Sequence, residues 1–212
     1  MKTNSIYNLS LALTTLLLAL PVRGQGTLEY DQQSSTDETP PVYGQGEAIQ
    51  GFTPPWGQSF TPSLDAVGFI ELKLDDPTAG FGGGTVWVNL ISGSIAGPVM
   101  ASTEPIDLIG GFAGTFDFIF SAPVQVTPGV QYFFVPEEAL GGTVVNIIGG
   151  TDFPYAGGSL YNDGSNSGGY QYENWWFREG IIVPEPASTV LLLLGVGALA
   201  LFRCVLRKSV PG

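Results

Sequence analysis

Two places in the chain crowd hard oxygen ligands together: the pair Asp75-Asp76 and the run Asp163-Gly164-Ser165-Asn166. Carboxylate and amide oxygens are what a calcium ion takes, but neither stretch has the complete Asp-x-Asp-x-Asp-Gly loop with a later Glu. Turn formation and solvated charge are the commoner use of such residues, with calcium at Asp75, Asp76 and Asp163 as the alternative. A second group is aromatic. Trp56, Tyr155, Tyr170, Tyr172, Trp175 and Trp176 fall in loops or near strand ends, with Trp87 and Tyr161 in the same set. An exposed ring there can stack on a sugar while nearby Asn and Asp bond its hydroxyls. Packing into a core is the competing use of each ring. Alternation puts Trp175 and Trp176 on opposite faces of any strand that holds both, so at most one is expected in the core.

Acid–base and nucleophilic chemistry has little to stand on. Histidine is absent and Cys204 is the only cysteine. No Ser/His or Cys/His pair can be assembled, no His-Glu-x-x-His site is possible, and no Gly-x-Ser-x-Gly elbow occurs. A glycosidase needs only two suitably spaced carboxylates. Nothing singles out a pair here, so a cryptic glycoside hydrolase is a distant alternative and the chain is read as non-catalytic.

The elements that must carry these residues are strands. Ile70, Leu72 and Leu74 alternate with Phe69, Glu71 and Lys73; Val86, Val88 and Leu90 alternate with Trp87 and Asn89; Phe116, Phe118 and Phe120 share a face that Asp117 leaves. Period-two alternation between turn residues is the strand signal. Further strands are expected over 99–103, 124–126, 130–135, 144–148, 158–161 and 175–182. Pro128-Gly129 marks a turn, and Tyr155 to Tyr172 a long loop or loose hairpin. With no amphipathic helix outside the termini, the fold class is all-β, a β-sandwich with jelly-roll-like topology.

Charge narrows the partners. Between residues 25 and 180 the only cations are Lys73 and Arg178, against every carboxylate of the chain but Glu185. Such a body repels nucleic acid, which has no basic stripe to contact, and attracts divalent or basic partners. No disulfide can form within one chain, so the core, with a bound metal as the alternative, must carry stability.

The termini read as addresses. Lys2, the apolar stretch Leu9 to Leu20 and Pro21-Val22-Arg23-Gly24 have the layout of a secretory signal peptide, whose helix precedes a cut after Gly24. At the other end, Ala187 to Phe202 carries no charge. As a helix it covers about 24 Å, slightly short of a hydrocarbon core of about 30 Å, with Val205 and Leu206 adding length. Arg203, Arg207 and Lys208 follow it, which places the carboxyl terminus in the cytoplasm and the body across the membrane. Pro184 and Pro186 cannot continue a helix from upstream, so Val183-Pro184-Glu185-Pro186 is expected to lie extended at the membrane surface.

This ordered set, Pro184-Glu185-Pro186, one hydrophobic helix and a short basic end, resembles the PEP-CTERM sorting signal of Gram-negative envelope proteins. The basic end is interrupted by Cys204, Val205 and Leu206 where the family has a compact cluster. The resemblance implies export through the Sec translocon, anchoring in the inner membrane and processing by an exosortase. It also implies a final place at the cell surface or outside the cell, in bacteria that make exopolysaccharide and biofilms. Gln58-Ser59-Phe60-Thr61-Pro62, Pro128-Gly129-Val130-Gln131-Tyr132, Tyr155-Ala156-Gly157-Gly158 and Trp176-Phe177-Arg178 resemble the sandwich domains often placed before this signal, whose layout resembles that of carbohydrate-binding modules. The expected organisation is a signal peptide over 1–24, an exposed leader over 25–57 and a sandwich over 58–182. The sorting signal follows over 183–208, with a transmembrane helix over 187–206, and then a tail over 209–212.

Overall fold

The alternating stretches fold as strands in the computed structural model, which describes residues 26–41, 46–49, 56–76, 83–139, 144–162, 165–166, 173–184 and 197. In chain order these are β1 (Thr27–Gln33), β2 (Glu47–Ala48), β3 (Trp56–Phe60), β4 (Ala66–Asp75), β5 (Thr85–Ser92), β6 (Val99–Ser102), β7 (Ile106–Asp107) and β8 (Ala113–Gln125). They continue with β9 (Tyr132–Glu138), β10 (Asn146–Ile147), β11 (Gly149–Gly150), β12 (Leu160–Asn162), β13 (Ser165–Asn166), β14 (Asn174–Trp175) and β15 (Phe177–Val183). The sandwich lies in a unit from Leu28 to Ile182; Met1–Thr27 and Val183–Gly212 form a separate one.

Two antiparallel sheets carry the body. In the first, β4 has β8 along one edge; its other edge is shared by β15, opposite Phe69 to Leu72, and β10, opposite Leu74 and Asp75. β1 lies outside β15 and β2 outside β10. The second sheet runs β13-β12-β3-β9-β5-β6, with β7 also beside β5. The orders β1-β15-β4-β8 and β3-β9-β5-β6, with the chain crossing repeatedly between sheets, are jelly-roll connectivity.

The core sits between the sheets. Ile70, Leu72, Leu74, Phe118 and Phe177 from the first meet Phe60, Val86, Val88, Leu90 and Phe134 from the second, all fully buried. Phe134 bridges them, with ring centroids 5.2 Å from Phe177 and 6.1 Å from Phe60. Burying each such side chain contributes about 1.5–3 kcal/mol.

Local chemistry explains the boundaries. Pro128 and Gly129 form the expected turn, with Gly129 at φ +77° and Val130 N donating to Thr127 O at 3.1 Å. A positive φ at that position is what glycine supplies. β8 continues through Pro123, but its ladder with β4 shifts register between Ile119 and Val124, so the division that alternation makes falls where the pairing is interrupted. β8 is an edge strand bonded to β4, where a missing N–H can be tolerated.

The leader differs most from expectation. Among the described residues of 25–57 the chain is built into the sandwich rather than preceding it: β1 is an integral strand of the first sheet, Ser35 to Thr39 lie across that sheet's outer face, and β3 begins at Trp56. An edge strand needs little apolar surface, and β1 is mostly half-buried or exposed, so its polar composition disguised it. Residues 1–24 and 187–206, read as signal-peptide and transmembrane helices, lie outside the described residues apart from Gly197, which is helical. Among the described residues no helix is long and apolar enough to cross a membrane.

Candidate functional site

The outer face of the first sheet holds an ionic layer built by strand register. Arg178 on β15 stands opposite Glu71 on β4, and Glu71 opposite Asp117 on β8, so three charges line up across three strands. Arg178 Nη1 lies 3.5 Å from Glu71 Oε2, with both side chains almost fully buried. Trp176, on the same face, is the platform for both cations. Lys73 Nζ lies 4.9 Å and Arg178 Cζ 4.8 Å from its ring centroid, and Arg178 also stands 5.2 Å from the Tyr30 ring. Burial weakens the charged form of each partly desolvated group. It pushes the Glu71 carboxyl up against the pull of Arg178, pushes Asp117 up likewise, and pushes the Lys73 ammonium down.

A cover over this face completes it. Trp176 Nε1 donates to Asp37 O at 2.8 Å, Lys73 Nζ to Asp37 O and Thr39 O at 2.6 and 3.0 Å, and Arg178 Nε to Ser35 O at 3.2 Å. Arg178 Nη1 also pairs with Glu38 Oε1 at 2.7 Å. Sequence reading identified Lys73 and Arg178 as the body's only cations without bringing them together; their outward positions on two strands were the available signal.

A second polar cluster lies at one end of the sandwich, centred on β1. The Asp31 carboxylate accepts from Ser63 N at 2.7 Å, from Ser63 Oγ and from Leu64 N at 3.0 Å, fixing the turn between β3 and β4. Burial opposes ionisation of Asp31, but these bonds hold its pKa below the usual carboxylate value. Glu179 is fully buried beside it, and burial followed by the charge of Asp31 pushes its pKa up to about 9. Tyr155 OH donates to Gln32 Oε1 at 3.1 Å and accepts from Thr61 N at 3.2 Å; burial raises its pKa to about 12.

The aromatic candidates do not converge. Trp175 and Trp176 do point to opposite faces, but both are buried, at 1% and 0% exposure, because the 35–39 segment covers the outer one. Neither offers a ring face to a sugar in this structure. Trp56 is half-buried against the core, and so is Tyr155, whose ring stands edge-on to Phe177. Tyr170 and Tyr172 lie outside the described residues.

Of the acidic candidates, only Asp75 and Asp76 are among the described residues. Asp75 and Asp76 are buried, at 0% and 2% exposure, and so are not solvated turn residues. Asp76 Oδ2 accepts from Gly111 N at 3.1 Å, and Asp76 N donates to Phe112 O at 2.8 Å, tying the end of β4 to the start of β8. Asp163 lies outside the described residues, and no group of three or more metal-ligating Cys, Asp or Glu occurs among those described.

The sorting segment begins where the sandwich stops. β15 pairs with β4 as far as Gly180 opposite Phe69, and Val183 and Pro184 are exposed. Pro184 has no N–H with which to extend a ladder. Glu185, Pro186, Arg203, Arg207 and Lys208 lie outside the described residues. Residues 183–208 match the family model of the PEP-CTERM protein-sorting motif. That motif implies an exported protein, anchored at the membrane before processing by an exosortase. Among curated proteins, none matches the chain.

Proposed function

We propose that this is an exported cell-surface or extracellular-matrix protein of a Gram-negative-type bacterium, with a non-catalytic structural or interaction role associated with exopolysaccharide. In this reading residues 1–24 are the signal peptide that brings the chain to the Sec translocon. Residues 187–206 are the transmembrane helix that holds it in the inner membrane until exosortase acts. The observation that carries the reading is the match of residues 183–208 to the sorting motif. Its position adds support: a cut near Pro184 would leave β15 and the core whole. Lack of histidine supports the non-catalytic part, since the usual proton shuttle is missing.

Deleting exosortase in the native host tests the processing step. The protein should then stay in the inner-membrane fraction with residues 183–212 still attached; unchanged release or surface display would count against the reading.

A carbohydrate-binding role is the second reading. Trp87 is half-buried on the outer face of the second sheet, paired across strands with Glu137 and one alternation from Asn89, which accepts from Ser102 Oγ at 2.6 Å. On a glycan array, Trp87→Ala should reduce any signal by about two- to tenfold, the scale of a lost aromatic contact. An array blank for the unmodified protein, with and without calcium, removes this reading.

A further inference from the structure

The segment Ser35 to Thr39 is held on the first sheet in the manner of a bound peptide. Alternate main-chain carbonyls, those of Ser35, Asp37 and Thr39, are taken by Arg178, Trp176 and Lys73. The one side-chain contact in the set is Glu38 to Arg178, and Glu38 is 68% exposed. These donors read a backbone and a carboxylate rather than a shape filled by large side chains. The strand that precedes the segment is seated just as specifically. At Gly180 on β15 an added Cβ would strike the Glu29 carbonyl, so β1 lies close because that position has no side chain.

What lies beneath Ser35 to Thr39 makes the arm separable. Glu71, Lys73, Arg178 and Asp117 line that face together with the buried Trp176 ring. Uncovering the charged groups returns them to water, which offsets part of the burial lost at Trp176 and at Phe69 beneath Tyr30, and that exposed apolar area favours taking up an arm again. Charge complementarity selects the occupant. The seat contains the only two cations between residues 25 and 180, and the arm brings Asp37 and Glu38 over them. Elsewhere the copies repel one another through their acidic surfaces. A second copy supplies the identical arm, and in a swapped pair each contact is remade unchanged.

We propose that the seat formed by β15, Lys73, Trp176 and Arg178 accepts the Thr27–Thr39 arm of a second copy of this chain in exchange for its own, linking copies through their amino-terminal arms.

Carbodiimide coupling of the Lys73 amine to Asp37 or Glu38 reads the exchange directly. Full-length protein in detergent, half unlabelled and half nitrogen-15 labelled, is mixed, incubated and coupled, and the cross-linked peptides are weighed. Mixed-isotope pairs should rise toward about half of all pairs, the random limit for freely exchanging copies. Gly180→Val should abolish them, and excess synthetic peptide of residues 27–41 should suppress them. The proposal is overturned if only like-labelled pairs form, if no pairs form, or if mixed pairs persist unchanged in Gly180→Val or with the peptide. Loss of like-labelled pairs on adding an acidic polysaccharide, with no mixed pairs at any stage, would also overturn it by making the seat a glycan site.

Discussion

β4 buries both of its faces, and the two are covered by different means. Its inner side chains, Ile70, Leu72 and Leu74, meet the apolar face of a second sheet. Its outer ones, Glu71 and Lys73, are 6% and 3% exposed beneath a single irregular segment, and their neighbours are Arg178, Trp176 and Asp117. The inner face draws its stability from apolar area. The outer face must offset the desolvation of charge with ion pairs, hydrogen bonds and cation–ring contacts, a balance that often comes out near zero. One strand thus supports a core and a seat, and the neighbouring tryptophans Trp175 and Trp176 divide between them.

Truncating each indole is the strongest challenge to that division. Trp175→Ala should cost about 3–5 kcal/mol in denaturant unfolding, the range for large core side chains. Trp176→Ala should cost nearly as much, because the ring is equally buried and carries both cations. A loss below about 1 kcal/mol at Trp176, the scale of an exposed cation–ring contact, would show that the outer face is only loosely covered.

Arg178→Ala comes next, at about 3 kcal/mol, since it leaves Glu71 buried without its cation. Combining Glu71→Leu with Arg178→Met should recover most of that loss. If the double variant is as unstable as the single one, the ion pair contributes more than the balance above allows.

Glu179→Gln should act in the opposite direction. Below pH 4.5 the carboxyl is protonated in both states; between 4.5 and about 9 only the folded state keeps the proton. Its contribution is therefore fully present in acid and is lost as pH rises through 9, with about 3 kcal/mol gone by pH 7. The amide has no such dependence, so the variant should gain in Tm over wild type from pH 5 to pH 8.5. Parallel pH profiles for the two proteins would remove the raised pKa. Glu38→Ala should change stability least, within about 0.5 kcal/mol, as expected for a pair whose acid is mostly exposed.

Alternation made the inner face legible in the sequence. Ile70, Leu72, Leu74, Val86, Val88, Leu90 and Phe118 all face the core as their spacing requires. The outer face could not be read in the same way. Polar residues at outward positions look solvated until something is known to cover them, and Ser35 to Thr39 carry no apolar pattern that would announce a cover. Asp75 and Asp76 were obscured for the same reason: nothing local distinguishes an exposed acidic turn from one folded under the start of β8. The sorting segment was legible because its information lies in the order of residue types along the chain rather than in tertiary packing.

Export followed by a cut where the sandwich ends leaves a defined product, and the intact mass of the protein recovered from its native host reads it. The mature chain should begin near Gln25 and end close to Val183-Pro184-Glu185-Pro186, without Arg203, Arg207 and Lys208. A mass that still includes Gly212 would contradict it and make the carboxyl-terminal segment a permanent anchor.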